Sequence, residues 1–134
     1  MRVAKHLCSI WVLFLLTGVT SCNTDKSGLG HLQAKERDVV VRNGTQNFDK
    51  ERWAKAGREA RGKMVASLLR SQRFVGEKNI DLVRLLGERT CYIDYEDQPC
   101  YELILDDKWY FLVFSVNHSN ALGTITGIDL YPRD

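Results

Sequence analysis

Residues 100–116 read CYELILDDKWYFLVFSV, and this stretch decides the fold. Two runs of strand-like sequence, Cys100–Leu105 and Lys108–Val116, flank Asp106-Asp107, a residue pair suited to a tight turn. The pattern predicts an antiparallel hairpin. In the second run Trp109, Phe111 and Val113 fall on one side, and Tyr110, Leu112, Phe114 and Val116 on the other. A strand apolar on both sides belongs at the centre of a sheet whose second face is also partly covered. Downstream, Asn117–Asn120 reads as a turn and Gly123–Tyr131 as the last strand. Gly127 interrupts its alternation and predicts a bulge that returns Ile128 and Leu130 to the core side. Upstream, Thr90–Tyr95 reads as a further strand, joined to Cys100–Leu105 through Glu96-Asp97-Gln98-Pro99. Every connection is short, so four strands in sequential meander order are expected.

Cys91 and Cys100 flank that connecting loop. Antiparallel pairing would bring them to a Cα separation of about 5.5 Å, within disulfide reach. The closed loop is short, so a bond there is worth at most about 2–3 kcal/mol and chiefly fixes the hairpin register. Two free thiols or a metal-ligating pair are the alternatives, and the second lacks a CxxC motif.

Ahead of the strands the period changes to that of a helix. Asp49 is suited to cap one, with Phe48 stapling against Trp53. Trp53, Ala56, Ala60, Met64 and Leu68 then recur at helical spacing, widened by Val65 and Leu69, with charged residues elsewhere. One amphipathic helix ending near Arg70 is expected. After the connector Arg73–Gly76, a second helix is capped by Asn79, carries Ile80, Leu82, Val83, Leu85 and Leu86, and stops at Gly87. At about two turns it is too short to persist without packing. The expected architecture is α+β, two N-terminal helices packed on a four-stranded antiparallel meander sheet over residues 48–134.

Residues 22–47 look less ordered. Lys26-Ser27-Gly28 and Gly30 are small and polar, and the run Val39-Val40-Val41 lies among charges before Asn43-Gly44. A flexible tether is expected here, with a turn at Asn43-Gly44. Residues 1–21 carry Arg2 and Lys5, then an apolar core from Leu7 to Leu16. About ten apolar residues fit a signal peptide and are too few to span a bilayer core of about 30 Å, which disfavours a retained anchor. Val19-Thr20-Ser21-Cys22 resembles the bacterial lipobox. That resemblance implies cleavage before Cys22, diacylation of its thiol and acylation of the new amino terminus. Three acyl chains exceed the two signals that stable anchoring needs. With Cys8 removed and Cys22 lipidated, Cys91 and Cys100 remain as a pair in an oxidising compartment. Asn23, where inner-membrane retention uses Asp, implies placement in the outer membrane facing the periplasm.

The chain has 134 residues, enough for one domain, with 27% charged and 44% hydrophobic residues. Arg2 and Lys5 are two of its 19 basic residues, so residues 22–134 carry 17 basic and 17 acidic side chains. A neutral domain gives no electrostatic warrant for nucleic-acid binding. Beyond residue 21 the histidines are His31 and His118, and no GxSxG, HExxH, P-loop or dinucleotide fingerprint occurs. Asp94, Glu96, Asp97, Glu102, Asp106 and Asp107 are explained by turns and hairpin edges. No catalytic residue, metal, cofactor or small-molecule substrate is therefore expected. The surplus is aromatic. One sheet with helices on one face leaves the other available, and Tyr101, Trp109 and Tyr110 are the candidate partner-binding residues.

A lipobox, a polar segment, two helices and an antiparallel sheet resemble the SmpA/OmlA (BamE-like) family, small lipoproteins of the outer-membrane β-barrel assembly machinery. The local match is Val75-Gly76 leading into Asn79–Leu86, with Val83 and Gly87 at the family's Val and Gly positions. Glu88-Arg89 stands where that family has Pro, and the cysteine pair is an addition. Arg61-Gly62-Lys63-Met64 is similar to a helix found in other small lipoproteins, and the two-helix-plus-sheet unit is similar to the repeat of β-lactamase inhibitor protein. The resemblance implies an assembly or scaffold lipoprotein working by protein–protein contact. The alternative is a periplasmic inhibitor or immunity-type lipoprotein that blocks an enzyme or toxin.

Overall fold

Asp106 and Asp107 both adopt left-handed backbone, with φ of 51° and 59°. Two such residues in succession mark a type I′ turn, whose twist matches that of the strands it joins. Leu105 accordingly faces Lys108 across it, closing the hairpin of β1 (Cys100–Leu105) and β2 (Lys108–Val116). β3 (Ile125–Pro132) pairs antiparallel with the other side of β2, so the sheet order is β1-β2-β3 with β2 central. The bulge is present. Ser115 faces Gly127 but Val116 faces Ile125, leaving Thr126 unmatched, and Ile128 and Leu130 are buried.

The computed structural model describes residues 25–92, 98–118 and 120–134. Over these the chain is α+β, with a 3₁₀ turn (Gly28–His31) and helices α1 (Ala34–Asn43), α2 (Lys50–Lys55), α3 (Arg58–Ser71) and α4 (Asn79–Leu86) ahead of the sheet. Three strands stand where four were expected. Of the expected strand Thr90–Tyr95, residues 90–92 are not in a strand, and 93–95 lie outside the described residues. The signal segment, Cys22 and Asn23 also lie outside them. Among the described residues no helix is long and apolar enough to cross a membrane.

The core lies between the helices and one face of the sheet. Tyr101, Leu103 and Leu105 of β1, Leu112, Phe114 and Val116 of β2, and Ile125, Ile128 and Leu130 of β3 meet Trp53, Met64, Val65, Leu68 and Leu69. Aromatic rings run through it in series. Phe48 lies 5.9 Å from Trp53, Trp53 6.2 Å from Tyr101, Tyr101 6.1 Å from Phe114, and Phe114 5.1 Å from Phe74. Tilted and edge-on pairs of this kind add about 0.5–1.5 kcal/mol each beyond area burial. Phe74 holds a left-handed backbone, φ 48°, at a cost of about 1–3 kcal/mol that its buried ring offsets.

Three expectations about the helices need correction. The single helix from Asp49 to Arg70 is two helices. Asp49 caps α2 through its carboxylate, which accepts from the Arg52 N–H at 2.8 Å, but the chain turns extended at Ala56 and Gly57. The break lets Trp53 enter the core while α3 follows its own path along β1. The Trp53 carbonyl, near the end of α2, accepts from the Ala56 N–H and from Arg61 Nε at 3.2 and 3.4 Å.

The tether expected over residues 22–47 is structured from Gly28 onward. Leu29, Leu32, Val39 and Val40 are buried in the core, and Gln33 and Glu36 form a capping box at the start of α1. The helix is fastened at its far end. Arg42 Nε and Asn43 Nδ2 donate to the Asp106 carboxylate at 2.8 and 2.9 Å, and Asn43 Oδ1 accepts from the Asp106 N–H at 3.1 Å. Gly44, expected in a turn, follows directly as the C-cap of α1. Asn79, finally, is not the cap of α4 but its first residue, buried, with Nδ2 donating to the Asn120 carbonyl; Lys78 is the cap. Gly87 ends that helix with φ 79°, as its sequence predicts.

Candidate protein-contact site

The far face of the sheet is set by strand alternation and register. Across it run three rows: Cys100, Val113 and Asp129; then Glu102, Phe111 and Tyr131; then Ile104 and Trp109, beside Arg133, whose N–H donates to the Trp109 carbonyl at 2.9 Å. The first row is closed. Cys91 is bonded to Cys100 with Cα atoms 5.2 Å apart, and the bridge buries Val113 with Phe111 packed alongside. The third row is open.

Trp109 is the centre of that open end. The Arg58 guanidinium lies 3.8 Å from its ring centroid and that of Arg133 4.4 Å, both within cation–π range. Arg58 also donates from Nε to Glu102 at 2.6 Å. Arg58 opens α3, and Gly62 is what lets α3 approach β1. A Cβ at Gly62 would lie against the Ile104 carbonyl oxygen, well inside contact distance. The helix therefore rides on the strand backbone and carries Arg58 over the edge of the sheet to the indole. Two shallow clefts of 420 and 480 Å³ meet at Trp109. One holds Lys108, Arg133 and Asp134, and the other Arg58, Glu59, Lys63 and Ile104.

The three expected partner-binding residues part company here. Trp109 is on the open face. Tyr101 is fully buried, its hydroxyl donating to the Gly87 carbonyl at 2.8 Å, and burial pushes its phenol pKa up. It belongs to the core and not to a contact surface. Tyr110 sits on the helix side of β2, packed against the core cluster. The aromatics beside Trp109 on this face are instead Phe111, half-buried against the disulfide cluster, and Tyr131, which is 47% exposed. Arg58 and Arg133 were invisible in the sequence as site residues, because only the register and the course of α3 bring them to one ring.

Asp94, Glu96 and Asp97 lie outside the described residues, Glu102 is paired with Arg58, and Asp107 is exposed in its turn. The Arg42 guanidinium, then the Asn43 amide, hold the Asp106 carboxyl below the usual range. His31 and His118 are exposed and far apart in the chain. Among the described residues no three of His, Cys, Asp and Glu gather as a ligand set for a metal ion. No family profile matches this chain, and no curated protein or solved structure matches it significantly.

Proposed function

We propose that this chain is a lipid-anchored bacterial envelope protein that acts through protein contact, as a BamE-like assembly or scaffold component at the periplasmic face of the outer membrane. It performs no chemistry of its own in this reading, and acyl chains on Cys22 hold it at the membrane. The observation that carries the reading is the open end of the sheet, where Trp109 lies between Arg58 and Arg133 beside Phe111 and Tyr131. Trp, Tyr and Arg are the residue types that dominate binding hot spots. Thr90 lies against the start of β1, its N–H donating to the Cys100 carbonyl and its Oγ1 accepting from the Glu102 N–H, both at 2.9 Å.

The test is crosslinked purification of the native lipidated protein from its own membranes, read by mass spectrometry. Barrel-assembly components should be recovered, and Trp109→Ala should reduce their yield at least tenfold while circular dichroism stays unchanged. Recovery of one soluble hydrolase or toxin would replace the scaffold reading with inhibition. Recovery of no specific protein would overturn both.

A further inference from the structure

We infer that Asn43 is a covalent modification site of this chain: its conversion to aspartate is withheld while α1 is docked and, once made, keeps α1 from docking again. Asn43-Gly44 joins a thermolabile side-chain amide to a residue with no Cβ to hinder attack on it. The reaction needs only water. The Gly44 backbone nitrogen loses its proton and bonds to Asn43 Cγ, the Cγ–Nδ2 bond breaks, and ammonia leaves. Water then opens the cyclic imide at either carbonyl, giving aspartate or isoaspartate, and nothing is oxidised or reduced.

Packing dictates both residues of the pair. A Cβ at position 44 would press on that of Ala66, so α1 closes on α3 only with glycine there. The residue before it must offer Asp106 a donor and an acceptor together, and a side-chain amide supplies both. The same packing guards the amide. The two Nδ2 protons of Asn43 go to the Val39 carbonyl at 2.8 Å and to Asp106 Oδ1 at 2.9 Å, while the Gly44 N–H donates to the Val41 carbonyl at 3.1 Å. Beyond them the Gln46 N–H donates to the Lys63 carbonyl at 3.1 Å, holding the chain on α3. The nitrogen and the amide that must meet are each bound elsewhere, so the imide closes only when the end of α1 opens.

Conversion reverses the contact. An aspartate at 43 sets an oxygen without a proton against the Val39 carbonyl and the Asp106 carboxylate, where Nδ2 had donated to both. Two hydrogen bonds become two repulsions, and two carboxylates sharing one site resist joint ionisation. A reversible opening of α1 is thereby made permanent.

The test incubates the purified full chain in mildly alkaline buffer and follows Asn43 by peptide mass spectrometry. Conversion should be at least twentyfold slower in the folded chain than in the same chain in urea. D106G suits the left-handed turn but lacks the carboxylate, and it should speed conversion of the folded chain at least fivefold without changing the rate in urea. Equal rates in the folded and unfolded chain, or no response to D106G, would overturn the inference. In N43D, amide hydrogen exchange over α1 should rise at least tenfold while exchange in β2 holds. The exchanged pair N43D/D106N sets an amide opposite a carboxylate again and should recover at least half of the lost protection, which general unfolding would not allow. Exchange over α1 unchanged in N43D, or no recovery in the exchanged pair, would equally overturn it.

Discussion

Gly62 offers a test in which two physical effects oppose each other. In an exposed helix interior, replacing Gly by Ala stabilises by about 1 kcal/mol, because Ala loses less backbone freedom on folding. Gly62 is buried inside α3, and the added Cβ would meet the Ile104 carbonyl oxygen and carbon and a Leu105 methyl. The obstacle is backbone in a paired strand, so the side chain cannot be accommodated by a rotamer change. The helix must retreat by about an ångström or more to restore ordinary contact. Overpacking of a well-packed core costs about 1–3 kcal/mol, and a rigid obstacle belongs at the upper end. Subtracting the propensity gain leaves Gly62→Ala destabilised by about 2 kcal/mol. At a urea slope of about 1–3 kcal/mol/M, the unfolding midpoint should fall by about 1 M. The same retreat lifts Arg58 from Trp109, so the fluorescence of the folded variant should change as well. Urea titration followed by circular dichroism decides it. An unchanged or higher midpoint would show that α3 does not ride on β1 as closely as described.

Acid should probe the fastening between α1 and the hairpin. Asp106 has a folded-state pKa lowered by Arg42 and Asn43, so its contribution is present above the unfolded value of about 3.9 and is lost as pH falls through the folded one. Asp106→Asn should flatten the acid limb of a stability–pH curve; an unchanged limb would refute that. Tyr101 has its pKa raised by burial, so its contribution holds below the unfolded value of about 10 and fades as pH rises beyond it. Tyr101→Phe should flatten the alkaline limb while costing about 1 kcal/mol at neutral pH for the lost bond to Gly87, both read by chemical denaturation. Reduction of the Cys91–Cys100 bond, or C91A/C100A, should cost about 2–3 kcal/mol, seen as a lower urea midpoint. No loss would mean that the ladder alone fixes this register.

The three strands of the sheet were legible, the further strand over Thr90–Tyr95 was not found, and the helices were less legible, for a physical reason. In KWYFLVFSV the alternation, the central position and the turn at Asp106-Asp107 follow from period-two geometry, which is local. The break at Ala56-Gly57 is not local, since the spacing of Trp53, Ala56 and Ala60 continues through it. It arises because Trp53 and Gly62 must satisfy different parts of the sheet. Helix α1 was hidden by composition: Val39 and Val40 are two apolar residues among charges, and Gln33 is a weaker cap signal than Ser or Asp. The partner face was assigned by aromatic content along β2, which names Tyr110 as readily as Trp109. Only the side on which the helices pack separates them.

The structured segment from Gly28 onward also sets how far the domain could travel from a lipid anchor. The Gly28 N–H donates to the Gln72 carbonyl at 2.7 Å and Leu29 is buried, so the chain is fixed to the body of the protein by that point. From Cys22 to Leu29 even a fully extended chain reaches only about 25 Å. An acylated Cys22 would thus moor the domain nearly flush with the bilayer. Its search for a partner would then run in two dimensions, at the high effective concentration of molecules sharing one surface. A partner rooted in the same membrane would gain from this, and one arriving from bulk solution would have to approach past the lipid.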